Sequence, residues 1–457
     1  MLIRFTIENF SSFSERQTIS FLPGKGTLKA EHKAKPVKGV SLLKTGVVYG
    51  ANASGKSNLI RAIEFGKRLI LGGTKSGNKI PFMKFRLDTA MEHANSRIEY
   101  EIQHKGKNYA YGFIFNNSEI VEEWLYEIKK TGELKLFERN KENKEAFDLS
   151  YFIKKNHKED EKQFLKFIAK GTPDNQLFLT EIRTRKVKEN VSDIADILNV
   201  IDWFLNSLKV IFPDDKYNEG LKFELMGDQN LLITFQEFLD YFDTGITGIS
   251  LEKIDLDNID LPKVIINEIV ESLDNKESES FVTVISHNNT TFFFIKTDDV
   301  VAVHKFMTKH KVKGRDKEEL FDPCDESDGT NRIMDFIPLM MDLLKGDNVF
   351  IVDEMERSLH PNLMYDFIDL FIAKSKDISS QLIIATHESS LLTQKLLRKD
   401  EIWFVVKDKD GGSKLHSLEE YDIRFDKEIR KDYLLGRYKG VPKIGNRNKL
   451  TKLPNQS

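Results

Sequence analysis

The stretch GVVYGANASGKSNLIRAI, residues 46–63, contains the pattern that decides the fold of this chain. Gly50 and the run Gly55-Lys56-Ser57 satisfy GxxxxGK[ST], the pattern of a phosphate-binding loop. The apolar residues before Gly50 predict a buried strand and the residues after Ser57 predict a helix, which is the context that this loop requires. A chance glycine loop is the alternative, and the correct flanks weigh against it.

Each part of this loop has a role in holding a nucleoside triphosphate. Glycines let successive backbone N–H groups turn toward an anion, Lys56 extends to the outer phosphates, and the Ser57 hydroxyl ligates magnesium at the start of the helix. We therefore predict that ATP and Mg²⁺ bind here. The residues predicted to contact the nucleotide are Gly50, Ala51, Asn52, Ala53, Ser54, Gly55, Lys56, Ser57 and Asn58.

Length and composition indicate a globular protein of more than one lobe. The chain has 457 residues, of which 40% are hydrophobic and 31% are charged. Two or three lobes are expected at this length, and no apolar run is long enough to cross a bilayer.

The first residues do not resemble a secretory signal, so a cytoplasmic location is expected. A single cysteine, Cys324, excludes an intrachain disulfide and a zinc site built from cysteines.

The charge pattern leaves nucleic-acid binding open. The net charge of −3 is unlike that of a protein that coats DNA. Two segments, 305–317 and 437–452, are nevertheless rich in lysine and arginine. Such runs are more often solvated faces or loose tails than nucleic-acid sites.

Periodicity divides the chain into three segments. An N-terminal ATPase lobe, 1–140, is expected to carry the phosphate loop and an antiparallel β subdomain, since residues 97–102 and 109–115 alternate around a turn at Gly106. A mostly helical insertion is expected at 141–274. Within it, residues 191–210 predict an amphipathic helix with a core-facing stripe formed by Ile194, Leu198, Ile201, Leu205 and Leu208.

The remaining segment, 275–457, is expected to complete the ATPase. A strand pair is predicted at 281–285 and 291–295. The short apolar runs 349–352 and 382–385 predict buried parallel strands. The predicted fold class is therefore α/β.

An apolar strand that ends in two acids follows far downstream of the loop. Asp353 and Glu354 come directly after the run VFIV. In a P-loop ATPase the first acid belongs to the magnesium shell and the second polarises the attacking water. We therefore predict Asp353 as the metal acid and Glu354 as the catalytic base. The alternative is a strand that runs into an acidic loop, and the complete phosphate loop favours the functional interpretation.

Two further segments are candidates for phosphate contacts. The sequence ESDGT at 326–330 opens a predicted helix, and its hydroxyl and backbone N–H groups suit an anion. An ordinary helix N-cap is the alternative there. The run LIIAT at 382–386 ends a buried strand and is followed by His387, placed where a γ-phosphate would lie.

These motifs carry a family resemblance. The order of phosphate loop, serine-glycine segment, acidic strand and strand-end histidine resembles the ABC-type ATPase heads of the RecF, OLD and structural-maintenance-of-chromosomes (SMC) group. The chain more closely resembles stand-alone ATPases of bacterial abortive-infection operons, the AbiL and RloA type, and more distantly the PARIS ATPase. The motifs that carry this closer resemblance are ESDGT, DE followed by RSLHP at 357–361, ATHE at 385–388, and YLLGRYKGVP at 433–442.

The resemblance implies a homodimer, or a higher oligomer, in which ATP lies between one subunit's phosphate loop and the other's signature. The signature residues acting in trans are then Ser327, Asp328, Gly329 and Thr330, and His387 senses the γ-phosphate with Glu354 as the second catalytic residue. The signature departs from LSGGQ by placing Asp328 where a glycine is usual. No glutamine stands in 81–88, where the Q-loop is expected, so slow turnover is predicted.

The resemblance suggests a switch ATPase that senses phage infection and controls a separate effector, such as a nuclease or toxin. An OLD-type nuclease is not expected in the 70 residues after His387, because Asp408 and Asp410 lie in a predicted hairpin without the other carboxylates of a two-metal site. A DNA-repair or chromosome-maintenance ATPase is the first alternative. A scaffold that binds ATP with negligible hydrolysis is the second.

Overall fold

A computed structural model describes residues 1–155, 158–217, 220–274, 280–297, 300–422, 428–438 and 440–441 of the chain. The strands are β1 (Leu2–Glu8), β2 (Gln17–Ser20), β3 (Thr45–Tyr49), β4 (Ser96–His104), β5 (Lys107–Phe115), β6 (Ile120–Lys129), β7 (Gly132–Asn140), β8 (Phe147–Asp148), β9 (Leu208–Ile211), β10 (Ile246–Ile254), β11 (Ser280–His287), β12 (Thr290–Thr297), β13 (Val300–Lys311), β14 (Glu318–Phe321), β15 (Val349–Asp353), β16 (Gln381–Thr386), β17 (Ile402–Lys407) and β18 (Ser413–Ser417). The α-helices are α1 (Lys56–Gly72), α2 (Ala90–His93), α3 (Ser150–Lys154), α4 (Glu159–Gly171), α5 (Phe178–Thr184), α6 (Ala195–Asp202), α7 (Leu221–Gly227), α8 (Gln229–Tyr241), α9 (Lys263–Asp274), α10 (Asp328–Lys345), α11 (Pro361–Lys374) and α12 (Ile429–Leu434).

The chain divides into two compact units, and neither is continuous in sequence. The first unit comprises Met1–Pro213, Lys345–Met355 and Phe367–Ser457, and the second comprises Asp214–Leu344 and Glu356–Asp366. These boundaries differ from the expected division at 140 and 274. The difference arises because part of the expected insertion pairs with the ATPase strands of the first unit and the rest belongs to the second.

A six-stranded sheet forms the centre of the first unit. Its order is β18-β17-β3-β16-β15-β9, and all of its strands are parallel except the edge strand β18. The strands β3, β15 and β16 are buried along their whole length. Continuous apolar runs are what a parallel sheet covered on both faces requires. The predicted parallel strands and the α/β fold class are confirmed.

A seven-stranded antiparallel sheet accompanies the central sheet, in the order β2-β1-β4-β5-β6-β7-β8. The predicted turn is present: Lys105 and Gly106 have φ of 46° and 75°, the left-handed pair that a tight hairpin turn requires. Helix α1 packs against this sheet, and the Tyr100 hydroxyl donates to the Ile63 carbonyl at 2.7 Å. One hydrophobic core includes residues of both sheets and of α1. The predicted antiparallel subdomain is confirmed.

The expected amphipathic helix over 191–210 is shorter than predicted. The α-helix covers Ala195–Asp202, a π-helical segment follows at Trp203–Ser207, and Leu208–Ile211 is strand β9, paired with β15 at the edge of the central sheet. Leu205, placed in the predicted stripe, is 49% exposed. The prediction was wrong beyond residue 202 because pairing with β15, which is distant in sequence, overrides the local helical periodicity.

The second unit contains a five-stranded antiparallel sheet. Strands β10, β13, β12 and β11 follow one another, and β14 pairs with the far end of β13. The predicted strand pair around residues 288–289 is present as β11 and β12. Strand β10 lies inside the segment expected to be mostly helical, which also contains α3–α9, β8 and β9. Across the described ranges, no helix is long and apolar enough to span a membrane.

Candidate nucleotide-binding site

The phosphate loop lies between β3 and α1, at the carboxyl edge of the central sheet. A side chain at Gly50 would place its Cβ 2.5 Å from the Val405 carbonyl oxygen, so only glycine fits there. Gly55 precedes α1 with φ of 117°, a conformation that other residues rarely adopt. The strand, loop and helix predicted from the sequence are all present, and the first turn of α1 presents its backbone N–H groups at the loop.

Lys56 is buried and its side chain turns back over the loop. Its ammonium donates to the Gly50 carbonyl at 2.8 Å and lies 3.0 Å from the nearer ring nitrogen of His387. Because an ammonium has only donors, a His387 nitrogen that bonds to it accepts and is unprotonated. His387 is exposed and follows the last residue of β16, so the structure brings it to the loop as predicted.

Asp353 lies at the end of β15 with only 2% of its surface exposed. Burial raises the pKa of its carboxyl group, the hydrogen bond from the Ser57 hydroxyl opposes that shift, and the charge of Glu354 adds to it. Its Oδ1 atom has no hydrogen-bond partner among the described residues. A buried carboxylate oxygen left unsatisfied beside a serine hydroxyl has the hard-oxygen chemistry that Mg²⁺ prefers.

Glu354 has a strained backbone. Its φ is 48°, and its backbone N–H donates to the Ala385 carbonyl of the neighbouring strand at 2.9 Å. A bulky residue in the left-handed region costs energy, and such residues concentrate at functional sites. The positive φ turns the chain directly after β15, so that Asp353 and Glu354 lie at the edge of the sheet where the phosphate loop lies.

The signature segment lies in the second unit, at the start of α10. The Ser327 hydroxyl accepts a hydrogen bond from the Thr330 backbone N–H at 3.1 Å and lies 2.9 Å from the Thr330 hydroxyl. Ser327 therefore caps the helix, as the N-cap alternative expects. Ser327 and Asp328 are exposed, and a Cβ on Gly329 would lie 3.0 Å from the Ser358 carbonyl oxygen. The role of this segment in trans stays a prediction.

Gln103, the first glutamine after the segment 81–88, is in β4 and not in a loop, and its amide donates to Asn108 Oδ1 at 3.0 Å. Asp408 closes the β17–β18 hairpin by accepting from the backbone N–H groups of Asp410 and Gly412 at 3.0 and 2.7 Å. The predicted hairpin is confirmed. Among the described residues, no group of three or more His, Cys, Asp or Glu side chains is arranged to hold a metal ion.

Two functional candidates were missed by sequence reasoning. The Ser12 hydroxyl, in the β1–β2 turn, accepts from Asn58 Nδ2 at 2.9 Å, and the Ser413 hydroxyl, at the start of β18, donates to the Ser54 carbonyl at 2.6 Å. Neither serine belongs to a motif. They lie about 40 residues before and 360 residues after the loop, so no local pattern identifies them.

The fold and this edge of the sheet define a P-loop ATPase domain. Residues 47–393 match the model of the family described as "AAA domain, putative AbiEii toxin, Type IV TA system", and the chain belongs to this family. The comparison with curated proteins gives no match.

Solved structures of SMC heads align along most of the chain. The SMC head domain from Thermotoga maritima is 12% identical, covers 91% of this chain and 98% of its own, and has a TM-score of 0.36. An SmcHead bound to the C-winged helix domain of ScpA is 15% identical over 92% and 98%, with a TM-score of 0.38. An Smc head domain with an extended coiled coil from Pyrococcus furiosus, bound to the C-terminal domain of ScpA, is 13% identical over 92% and 97%, with a TM-score of 0.33. The family assignment rests on the sequence match.

Proposed function

We propose that this chain binds ATP with Mg²⁺ and hydrolyses it, acting as a nucleotide-dependent switch. The observation that supports this proposal best is the convergence of Lys56, Ser57, Asp353, Glu354 and His387 at one edge of one parallel sheet. Ligands of open α/β sheets bind at the carboxyl ends of the strands, and here three neighbouring strands contribute.

The phosphate loop supplies the binding contacts. Backbone N–H groups of residues 50–58 surround the β-phosphate. The Lys56 ammonium leaves the Gly50 carbonyl and donates to the outer phosphates instead. Ser57 and Asp353 would hold Mg²⁺, which would supply positive charge to neutralise the phosphates. The buried Asp353 Oδ1, which has no hydrogen-bond partner among the described residues, supports this assignment.

Glu354 and His387 are assigned to the hydrolytic step. Glu354 accepts a proton from the attacking water, which lies in line with the bond to the leaving phosphate. His387 donates to the γ-phosphate from the ring nitrogen that carries its proton, after Lys56 has moved from the imidazole to the nucleotide. The protein contributes mainly by positioning these groups and by stabilising charge.

A homodimer completes the site in this proposal. Ser327, Asp328, Gly329 and Thr330 of one subunit contact the γ-phosphate bound to the other. The exposed helix start supports this assignment, because its first N–H groups and its dipole favour an anion. ATP then favours the dimer over the monomer only to the extent that it binds more tightly to the dimer through these contacts.

We further propose a cytoplasmic role in anti-phage defence, in which the switch acts with a separate effector. Two features support this role: the resemblance to abortive-infection ATPases and the family description, which names a putative toxin of a toxin–antitoxin system. Site chemistry alone does not define a biological role. Assembly with a second protein from the same operon is therefore part of the test.

The test compares wild type with Glu354→Gln. We expect phosphate release to fall by about 100-fold to 10,000-fold because the general base is lost, while bound ATP is retained. The native mass of Glu354→Gln, purified with its operon partners, is then measured with and without Mg-ATP. We expect a shift to a dimer or larger assembly that carries a second protein.

Three outcomes count against parts of this proposal. Equal and negligible phosphate release from both proteins contradicts the enzyme assignment and favours the scaffold. An unchanged monomer with ATP bound contradicts the dimer. A dimer without any companion protein contradicts the sensor-and-effector role.

A second candidate, a DNA-stimulated ATPase, rests on the basic segment 305–317. Its residues form the end of β13 and the turn to β14, and four exposed cations lie there: Lys311, Lys313, Arg315 and Lys317. The other basic segment, 437–452, lies mostly outside the described residues. Hydrolysis that duplex DNA stimulates, with a stimulation that falls steeply as salt rises, supports this candidate. Hydrolysis that is insensitive to DNA contradicts it.

A further inference from the structure

We infer that Ser12 and Ser413 are positioning residues for the phosphate loop. The inference rests on the proposed nucleotide-binding function and deepens it, because it names what sets the loop geometry. Ser12 lies in the turn between the first two strands, and Ser413 begins β18. Both belong to the first unit, and together they connect its two sheets at the nucleotide site.

The two hydroxyls link the loop to the helix that follows it. Ser413 Oγ is 2.6 Å from the Ser54 carbonyl oxygen and 2.8 Å from Ser12 Oγ, which accepts from Asn58 Nδ2 at 2.9 Å. Each serine has one proton to donate. Ser413 Oγ is the donor in both of its contacts, so its single proton is shared between the Ser54 carbonyl and Ser12 Oγ, and the contact with Ser54 is the shorter. Asn58, Ser12, Ser413 and Ser54 are thereby linked in one series of hydrogen bonds.

This series determines the direction of a backbone N–H group in the loop. In a planar trans peptide, the carbonyl of one residue and the N–H of the next point to opposite sides. Because Ser413 holds the Ser54 carbonyl on its own side, the Gly55 N–H points away from Ser413. The orientation that the loop needs for an anion is then established before any nucleotide binds, which lowers the ordering cost of binding.

The same two hydroxyls explain why residue 55 is glycine. A Cβ there would lie 2.2 Å from Ser413 Oγ and 2.7 Å from Ser12 Oγ, too close for either oxygen to keep its place. The φ of 117° at Gly55 gives a second reason. The two serine hydroxyls can therefore approach the loop this closely only because residue 55 has no side chain.

Contacts between β18 and residues 12–17 hold the serines in place. The Ser413 N–H donates to the Ser12 carbonyl at 2.7 Å, and the Leu415 N–H donates to Gln17 Oε1 at 2.9 Å. An ion pair between Lys414 and Glu15 crosses the same junction. Ser413 itself is 1% exposed, so water does not compete for its hydroxyl. These contacts belong to the apoprotein and do not depend on a ligand.

The experiment measures Mg-ATP binding and steady-state hydrolysis for wild type, Ser413→Ala and Ser417→Ala. Ser417 is the matched control, because it lies on the same strand and caps a short helix through the Glu419 N–H. For Ser413→Ala we expect Kd and KM for Mg-ATP to rise about fivefold to tenfold, the loss expected for one buried hydrogen bond. We expect kcat to stay within about twofold, because the lost contact acts on binding. Ser417→Ala is expected to keep the wild-type Kd.

A double-mutant cycle tests whether Ser12 acts through Ser413. Ser12→Ala is expected to raise Kd about threefold, and Ser12→Ala combined with Ser413→Ala is expected to equal Ser413→Ala alone, because residues in one network are not additive. Ser14→Ala, in the same turn, is the control. If Ser413→Ala does not fold, Ser12→Ala decides the question, because Ser12 is only partly buried.

The outcomes separate this inference from the proposed function. Wild type that binds no Mg-ATP overturns the proposed function itself. Wild type that binds Mg-ATP, with Ser413→Ala and Ser12→Ala binding equally tightly, overturns the positioning role alone. A fall in kcat with unchanged KM also overturns it, because that pattern reports a loss of folded or competent enzyme.

Discussion

The phosphate loop and the signature segment are both candidate phosphate-binding regions, but they are held in different ways. The loop and its helix are hydrogen-bonded to residues far away in sequence: Ser413 donates to the Ser54 carbonyl, and Ser12 accepts from Asn58. The signature residue Ser327 is supported by its own neighbour, Thr330, and is exposed. The loop is therefore preorganised in the single chain, whereas the first residues of the signature segment are in solvent. This difference agrees with the proposal that the site is shared between two subunits.

The largest expected effect comes from disabling the two regions on separate subunits. Lys56→Ala removes the loop cation, and Ser327→Arg blocks the signature. We expect each variant alone to lose at least about 100-fold in phosphate release, as for lost transition-state donors. An equimolar mixture is expected to recover about a quarter of wild-type activity, because half of the dimers are mixed and each mixed dimer contains one intact site.

The matched control mixes Lys56→Ala with Glu354→Gln. Both changes affect the first unit's half of the site, so no mixed dimer contains an intact site and no recovery is expected. Recovery in the control, or none in the test mixture, contradicts the assignment of Ser327 to the other subunit.

A smaller effect is expected from Asp353→Asn, which separates catalysis from stability. Burial raises the pKa of this carboxyl, so at neutral pH its charge opposes folding, and the unsatisfied Oδ1 adds to that cost. We expect Mg²⁺-dependent hydrolysis to be lost while the apoprotein gains about 1 kcal/mol in the free energy of unfolding. Calorimetry without nucleotide and a phosphate-release assay measure the two changes.

Asp202→Asn is the control of opposite sign. Burial of Asp202 is outweighed by hydrogen bonds from Lys105, His104 and Asn206, which lower the pKa of its carboxyl to about 2. Its stabilising contribution is therefore present above the unfolded pKa and is lost as pH falls through about 2. Asp202→Asn is expected to destabilise the protein without affecting hydrolysis. If Asp353→Asn also destabilises the protein, the proposal that Asp353 lowers the stability of the apoprotein in order to bind the metal is contradicted.

The smallest expected effect concerns Asp328, the departure from the usual glycine. At the first position of α10, its negative charge interacts favourably with the helix dipole but repels a bound phosphate. Asp328→Asn is expected to lower KM for Mg-ATP about twofold to fivefold at low salt, and less at high salt because the residue is exposed. Thermal unfolding is expected to show a loss of about 0.5 kcal/mol. An unchanged KM at low salt contradicts a phosphate near this residue.

Sequence reasoning succeeded where neighbouring residues carry the information. The strand, loop and helix around Gly50, the buried strands at 349–352 and 382–385, and the hairpin turn at Gly106 each follow from a local pattern. The predicted helix over 191–210 was wrong past Asp202 because the partner that makes Leu208–Ile211 a strand lies more than 130 residues away. A periodic pattern contains no information about such a partner.

The sequence by itself determined the chemistry of the site: a phosphate loop with its lysine and serine, two acids after an apolar strand, and a histidine after another. These residues follow strands that can each be recognised from their own apolar run. Parallel strands then bring their carboxyl ends to one edge of the sheet. Only the tertiary structure decided that Ser12 and Ser413 hold the loop and that Asp353 Oδ1 is buried without a partner. The physical reason is that hydrogen bonding and burial depend on which distant segments meet, and the meeting of the two sheets is a property of the folded chain.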